Sequence, residues 1–185
     1  MTQDTQKTLR ERLLKQLRNQ KEEDRIKKSR SIEAKLFAIP EFQRSRTILF
    51  YASFDGEVET FAMMQRAQTL GKTIALPTIL KNQKTLTPVA AEDLQALAEG
   101  PYGILQPPPT ARPLAPQSLD LVIVPAVAFD KSNNRLGRGA GYYDRFLSGL
   151  PSEIPTIGLA FDFQIVECLP QLASHDHPVS RVISN

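Results

Sequence analysis

Four short β-rich apolar runs, each set between stretches of helical periodicity, constrain this chain most. They are Thr47–Ala52 (TILFYA), Thr73–Pro77 (TIALP), Asp120–Val124 (DLVIV) and Thr156–Ala160 (TIGLA). Runs this short and this apolar belong to strands buried on both faces. Between them the spacing predicts helices over Lys7–Arg18, Glu22–Phe37 and Val58–Leu70, the last closed by Gly71. Strands alternating with helices predict an α/β fold, a three-layer α/β/α arrangement with a mostly parallel central sheet and N-terminal helices. Residues 1–185 are expected to form a single domain. Thr78–Val89 reads as a hairpin or a looser excursion, and the proline-rich Gly100–Pro116 as an ordered surface crossing. Phe163–Leu169 reads as a short helix and Val179–Ile183 as an edge strand.

Composition narrows the functional classes. No apolar run approaches the ~20 residues of a membrane helix, and the polar N-terminus lacks a signal-peptide core. The single cysteine, Cys168, excludes an internal disulfide and reads as an inert buried thiol. A cytoplasmic protein is expected, with no membrane partner. The pI near 9.1 raises the question of nucleic acid. Residues 1–50 hold 13 Lys/Arg against 7 Asp/Glu, whereas the remainder is net acidic. Basic residues interspersed with acids describe a solvated helical face, and the scarcity of aromatics among them argues against stacking on single strands.

The run Arg135–Asp144 (RLGRGAGYYD) carries the most chemistry. Alternate glycines allow dihedrals that a Cβ forbids and let backbone N–H groups approach a ligand. Arg135 and Arg138 add forked donors that match phosphate oxygens. The spacing G-x-G-x-G fits neither a dinucleotide fingerprint nor a Walker loop, so the reading is a phosphate site of another kind. Asp144 lies in the first turn of the helix that follows. That position suits a magnesium ligand, and equally a carboxylate favoured by the macrodipole.

In an open parallel sheet ligands sit beyond the carboxyl ends of the strands. That rule puts Ser53–Glu57, Pro125–Asp130 and the glycine loop on one rim. Glu57 is either a helix cap or a carboxylate suited to the N–H groups of a heterocycle. Tyr142 and Tyr143, adjacent on a helix, cannot both face the core, so one borders the site. Asp130 reads as a turn residue, and Phe129, Phe161 and Phe163 as packing. Two other readings stay open on residues alone: a sugar-phosphate enzyme, and an RNA- or nucleotide-binding module built on the basic N-terminus.

Taken together these residues resemble the 5-formyltetrahydrofolate cyclo-ligase family, also called 5,10-methenyltetrahydrofolate synthetases. The strongest likeness is VPAVAFDKSNNRLGRGAGYYDRFL, Val124–Leu147. Supporting stretches are KTLR at Lys7–Arg10, YASFDGEVET at Tyr51–Thr60, YGILQP at Tyr102–Pro107, and His175-Asp176. They occur in family order over nearly the whole chain. Departures are Ala140 where lysine or glycine is common, Asn133 where glycine is usual, and Gln106 and Ser180 in place of acids.

The resemblance implies an ATP- and Mg2+-dependent ligase acting on 5-formyltetrahydrofolate, working as a monomer without nucleic acid. It assigns ATP to Lys7, Arg10, Arg135, Leu136, Gly137, Arg138, Gly139, Ala140, Gly141, Tyr142 and Tyr143. It assigns the folate to Ala52, Glu57 and Tyr142, and the metal to Asp144 and Asp176. Arg138 and Tyr142 are implied as the catalytic pair.

Overall fold

The computed structural model describes residues 5–80, 85–170 and 177–185. Three helices come first: α1 (Gln6–Arg18), α2 (Glu22–Ala38) and α3 (Pro40–Arg44). Then follow β1 (Thr47–Leu49), α4 (Phe61–Thr69), β2 (Thr73–Leu80) and β3 (Thr85–Ala90). A small excursion holds β4 (Ala98–Glu99) and β5 (Leu105–Gln106). The second half runs β6 (Leu121–Val124), β7 (Ala128–Asp130), β8 (Arg135–Leu136), α5 (Tyr142–Ser148), β9 (Thr156–Ala160), β10 (Ile165–Val166) and β11 (Arg181–Ser184).

The central sheet has the order β11-β9-β6-β1-β2-β3, and every pair is parallel except the β2–β3 hairpin. Side chains alternate across it, as a strand period of two requires. Ile48, Ile74, Leu121, Ile123 and Ile157 face α2, α3 and α4 in one apolar cluster. Leu49, Ala75, Val122 and Val124 face Phe146 and Leu147 of α5 in another. The expected three layers therefore form, with both faces covered. The β1, β6 and β9 strands are buried because neighbours flank them in the sheet and helices lie over them.

Helix α1 starts at Thr5, whose hydroxyl accepts the N–H of Thr8. It buries Leu9, Leu13 and Leu17, one per turn. Leu9 and Leu13 pack with Val127, Ala128 and Leu136 on a second small sheet, β10-β7-β8. Leu17 instead joins the cluster under α2. The helix thus spans from one sheet to the other, which sets the position of its basic side chains.

Several elements differ from the sequence expectation. The α4 helix begins at Phe61 rather than Val58, because Thr60 donates its hydroxyl to the Tyr51 carbonyl (2.6 Å) and its N–H to the Ser53 hydroxyl (3.2 Å), tying the residues before the helix to the chain after β1. No helix covers Phe163–Leu169. Gln164 closes a single 3-10 turn by accepting the Phe161 N–H (2.8 Å), and Ile165–Val166 then pairs with Phe129–Asp130. Cys168 is consequently exposed rather than buried. Of Thr78–Val89, the described residues 78–80 and 85–89 pair antiparallel as the hairpin alternative requires, with Leu80 opposite Thr85. The proline-rich crossing carries β5, which pairs with β4 just before it, a pairing that was not expected. Among the described residues no helix is long and apolar enough to cross a membrane.

Candidate active site

The glycine loop is launched by a hairpin. Asp130, buried at the end of β7, accepts the N–H groups of Ser132 (2.9 Å) and Asn134 (3.0 Å) and the Asn134 side-chain amide (3.0 Å). Asn133 takes φ 63° in this turn, which Asn tolerates. The chain returns as β8, with Arg135 opposite Phe129 and Leu136 opposite Ala128. Gly139 (φ 104°) and Gly141 (φ 68°) then bend the backbone through left-handed conformations into α5.

This loop forms one wall of a cleft of about 630 Å³ beyond the carboxyl ends of β1 and β6. Tyr51, Ala52, Asp55 and Glu57, which follow β1, form the facing wall, and Pro125 and Ala126 lie beneath. The volume falls within the range of small-molecule sites.

Arg138 joins the two walls. Its Nε and Nη2 donate to Glu57 Oε1 at 3.2 and 3.1 Å, and its Nη1 donates to Asp55 Oδ2 at 3.0 Å. The guanidinium lies over the Phe54 ring, 4.1 Å from its centroid. Asp55 also receives Arg18 from the end of α1, at 2.8 Å. Nearer the start of α1, Arg10 Nε donates to the Gly137 carbonyl at 2.9 Å. At the base of the loop, buried Arg135 pairs with Asp144.

Burial dominates the electrostatics of Glu57. It pushes the carboxyl up to about 7, against the opposing pull of the Arg138 charge and the Phe54 N–H. Burial likewise pushes the Tyr51 and Tyr143 hydroxyls well above the usual phenol range, with Glu57 adding to both. The Tyr143 hydroxyl is buried without a hydrogen-bond partner. Asp55 moves the other way, held below the usual carboxylate range by hydrogen bonds from Arg18 and then Arg138.

The cleft gathers most residues singled out in the sequence. Arg10, Ala52, Glu57, Arg135, Gly137, Arg138, Gly139, Ala140, Gly141, Tyr142, Tyr143 and Asp144 all line it. Leu136 reaches it too, but its side chain packs against Leu9 and Leu13. Lys7 is exposed on α1 and is not among the lining residues, whereas its neighbour Gln6 is. Asp176, with His175, lies outside the described residues. Glu57 does not cap a helix. That task falls to Glu59, which accepts the Phe61 and Ala62 N–H groups at 2.7 and 3.1 Å. Asp55 and Tyr102 are lining residues to which the sequence reading gave no ligand role. Asp55 was only half of a turn. Tyr102, 58% exposed at φ 64°, meets Tyr142 edge-on at 6.5 Å. A hydrogen bond from that contact raises the pKa of Tyr142.

The sequence pattern of the 5-formyltetrahydrofolate cyclo-ligase family matches residues 2–185. The chain belongs to that family. This cyclo-ligase family member is an enzyme. It is 31% identical over 185 residues to the mouse 5-formyltetrahydrofolate cyclo-ligase, covering 95% of this chain and 91% of that protein. The Escherichia coli K12 enzyme of the same name is 32% identical over 160 residues, covering 81% and 84%. The solution structure of Aquifex aeolicus 5,10-methenyltetrahydrofolate synthetase superposes with TM-score 0.85 at 30% identity, covering 96% of this chain and 88% of that one.

A nucleotide and a magnesium ion fit the cyclo-ligase cleft chemically. Arg10, Arg135, Arg138 and a glycine backbone supply donors of the kind that match phosphate oxygens. Among the described residues no cluster of three or more His, Cys, Asp or Glu could cage a metal. Mg2+ does not need one, since it binds through one or two carboxylates with substrate phosphates and water. Asp144 lies on the cleft wall with its side chain 24% exposed, a carboxylate of the kind such a site uses.

Proposed function

We propose that this enzyme catalyses the ATP- and Mg2+-dependent cyclisation of 5-formyltetrahydrofolate to 5,10-methenyltetrahydrofolate, releasing ADP and phosphate. One observation carries the reading: a single cleft holds a phosphate-type loop on one wall and a buried carboxylate on the other, joined by Arg138. A nucleotide triphosphate and a reduced pterin are the two ligands that such walls suit.

An N-formyl oxygen is a poor leaving group. Attack of that oxygen on the γ-phosphorus breaks the bond to ADP, and the formyl carbon becomes electrophilic. The N10 lone pair then closes the ring, N10 gives up its proton, and phosphate departs with the former formyl oxygen. Such a transfer needs positioning and charge stabilisation more than a protein nucleophile. Glu57 accepts the pterin N–H groups and fixes the ring, with Ala52 against it. Arg10, Arg135 and the loop backbone hold the phosphates, and Arg138 faces the charge that develops between the two ligands. Tyr142, half-buried at the start of α5, stands between nucleotide and folate. Mg2+, held by Asp144, would supply further neutralisation of phosphate charge.

The enzyme works in the cytoplasm, in keeping with its lone cysteine. One chain supplies both walls, so a monomer suffices. An omission assay tests the function: near-ultraviolet absorbance of the methenyl product should grow only when protein, MgATP and 5-formyltetrahydrofolate are all present. Growth without ATP, or none with all components, overturns the proposal.

A further inference from the structure

We propose that Asp55 is a positioning residue, orienting the Arg138 guanidinium so that its Nε/Nη2 edge meets the reacting ligands. This rests on the cyclo-ligase reading of the cleft.

Asp55 sits in a turn that cannot slide. Asp55 and Gly56 have φ 53° and 83°, and a Cβ on Gly56 would lie 2.2 Å from the Leu17 carbonyl oxygen of α1. Gln20 Nε2 donates to both the Leu17 and Gly56 carbonyls at 3.1 Å. Arg18 holds the Asp55 carboxylate from the far side, at 2.8 Å to Oδ1 and 3.0 Å to Oδ2. Arg138, by contrast, hangs on a glycine-flanked loop.

The division of partners on Arg138 matters most. The Nη1 corner rests on Asp55, and the Nε/Nη2 edge rests on Glu57 Oε1. Glu57 Oε2 already accepts the Phe54 N–H at 3.3 Å. A pterin that takes Glu57 Oε1 displaces the Nε/Nη2 edge and leaves Asp55 as the carboxylate still gripping the guanidinium. Tethered at Nη1 and stacked on Phe54, Arg138 then presents its freed edge to the phosphate and formyl oxygen. Removing the Asp55 charge removes the tether at the moment when Glu57 is occupied by substrate.

A double-mutant cycle tests this, using Asp55→Asn and Arg138→Lys, which cannot make the fork. Asp55→Asn is expected to lower kcat about tenfold while KM for ATP changes less than twofold. In the Arg138→Lys background the same change should have no further effect on kcat, because it acts through the fork. Equal kcat for Asp55→Asn and wild type, or effects that multiply, overturns the proposal. Nuclear relaxation of the Arg138 Nε–Hε group gives a readout apart from turnover. Its order parameter, measured with 5-formyltetrahydrofolate added, should drop in Asp55→Asn relative to wild type. Should the wild type fail to cyclise the folate, the cyclo-ligase reading falls, and an unchanged order parameter separately removes the positioning role.

Discussion

Arg138 donates two hydrogen bonds to one oxygen of Glu57, at 3.1 and 3.2 Å, although 81 residues separate them in sequence. The pair joins a cationic loop to a buried anion that burial alone would neutralise. The Glu57 charge is costly without Arg138, whereas Arg138 is part-exposed and keeps Asp55 as a second partner.

If Glu57 contacts the folate as proposed, its raised pKa makes folate affinity depend on pH. With the group titrating at about 7, roughly a tenth of the free enzyme carries the carboxylate at pH 6 and roughly nine-tenths at pH 8. The Kd for 5-formyltetrahydrofolate, measured by calorimetry without ATP, should therefore fall about tenfold between these values. In Glu57→Gln it should be weak and flat.

The same shift carries a stability signature. Glu57 is raised from 4.5 to about 7 on folding, so the native state binds more protons in that interval. Stability is then highest below the unfolded pKa and declines as pH rises through 7, by up to about 3 kcal/mol. Glu57→Gln should remove that decline. Its melting temperature should exceed the wild type's at pH 8, with the gap closing near pH 4.5.

Arg138→Ala should lower kcat about 10²- to 10³-fold through loss of charge stabilisation. It should also destabilise the fold more at pH 8 than at pH 5, because Glu57 keeps its charge only against an opposing guanidinium. A loss of activity that tracks unfolding, with normal turnover per folded molecule, would make the contact structural.

Gly56 and Gly71 form a matched pair. Both hold positive φ, but a Cβ at Gly71 meets nothing within 4 Å, whereas one at Gly56 strikes the Leu17 carbonyl. Gly71→Ala should cost about 1 kcal/mol in urea unfolding, the left-handed penalty alone. Gly56→Ala should cost more than about 3 kcal/mol, since backbone must move.

Asp144 faces buried Arg135. Asp144→Asn should raise the magnesium concentration for half-maximal turnover about tenfold and lower stability by about 3 kcal/mol, since the guanidinium then faces a neutral amide. Magnesium titration and thermal unfolding check the two effects.

The α/β order was legible because buried strands and amphipathic helices leave local periods. The place of the glycine loop on the rim was legible because it follows the buried β6 strand, and the loop does line the cleft. Other features depended on distant partners. Asp55 reads locally as a turn, and its ion pairs become visible only with Arg18 and Arg138, 37 and 83 residues away. The apolar composition of Phe163–Leu169 suggested a helix, yet pairing of Ile165–Val166 with β7 overrode it. Glu57 was read as a cap or a ligand contact; Glu59, two positions on, took the capping role.

The most direct measurement follows the formyl oxygen. With 18O-labelled 5-formyltetrahydrofolate and unlabelled MgATP in unlabelled water, phosphorylation of that oxygen predicts one labelled atom in each phosphate released alongside methenyl product. Unlabelled phosphate, with the 18O recovered in water, would contradict phosphoryl transfer to the formyl group in this cleft.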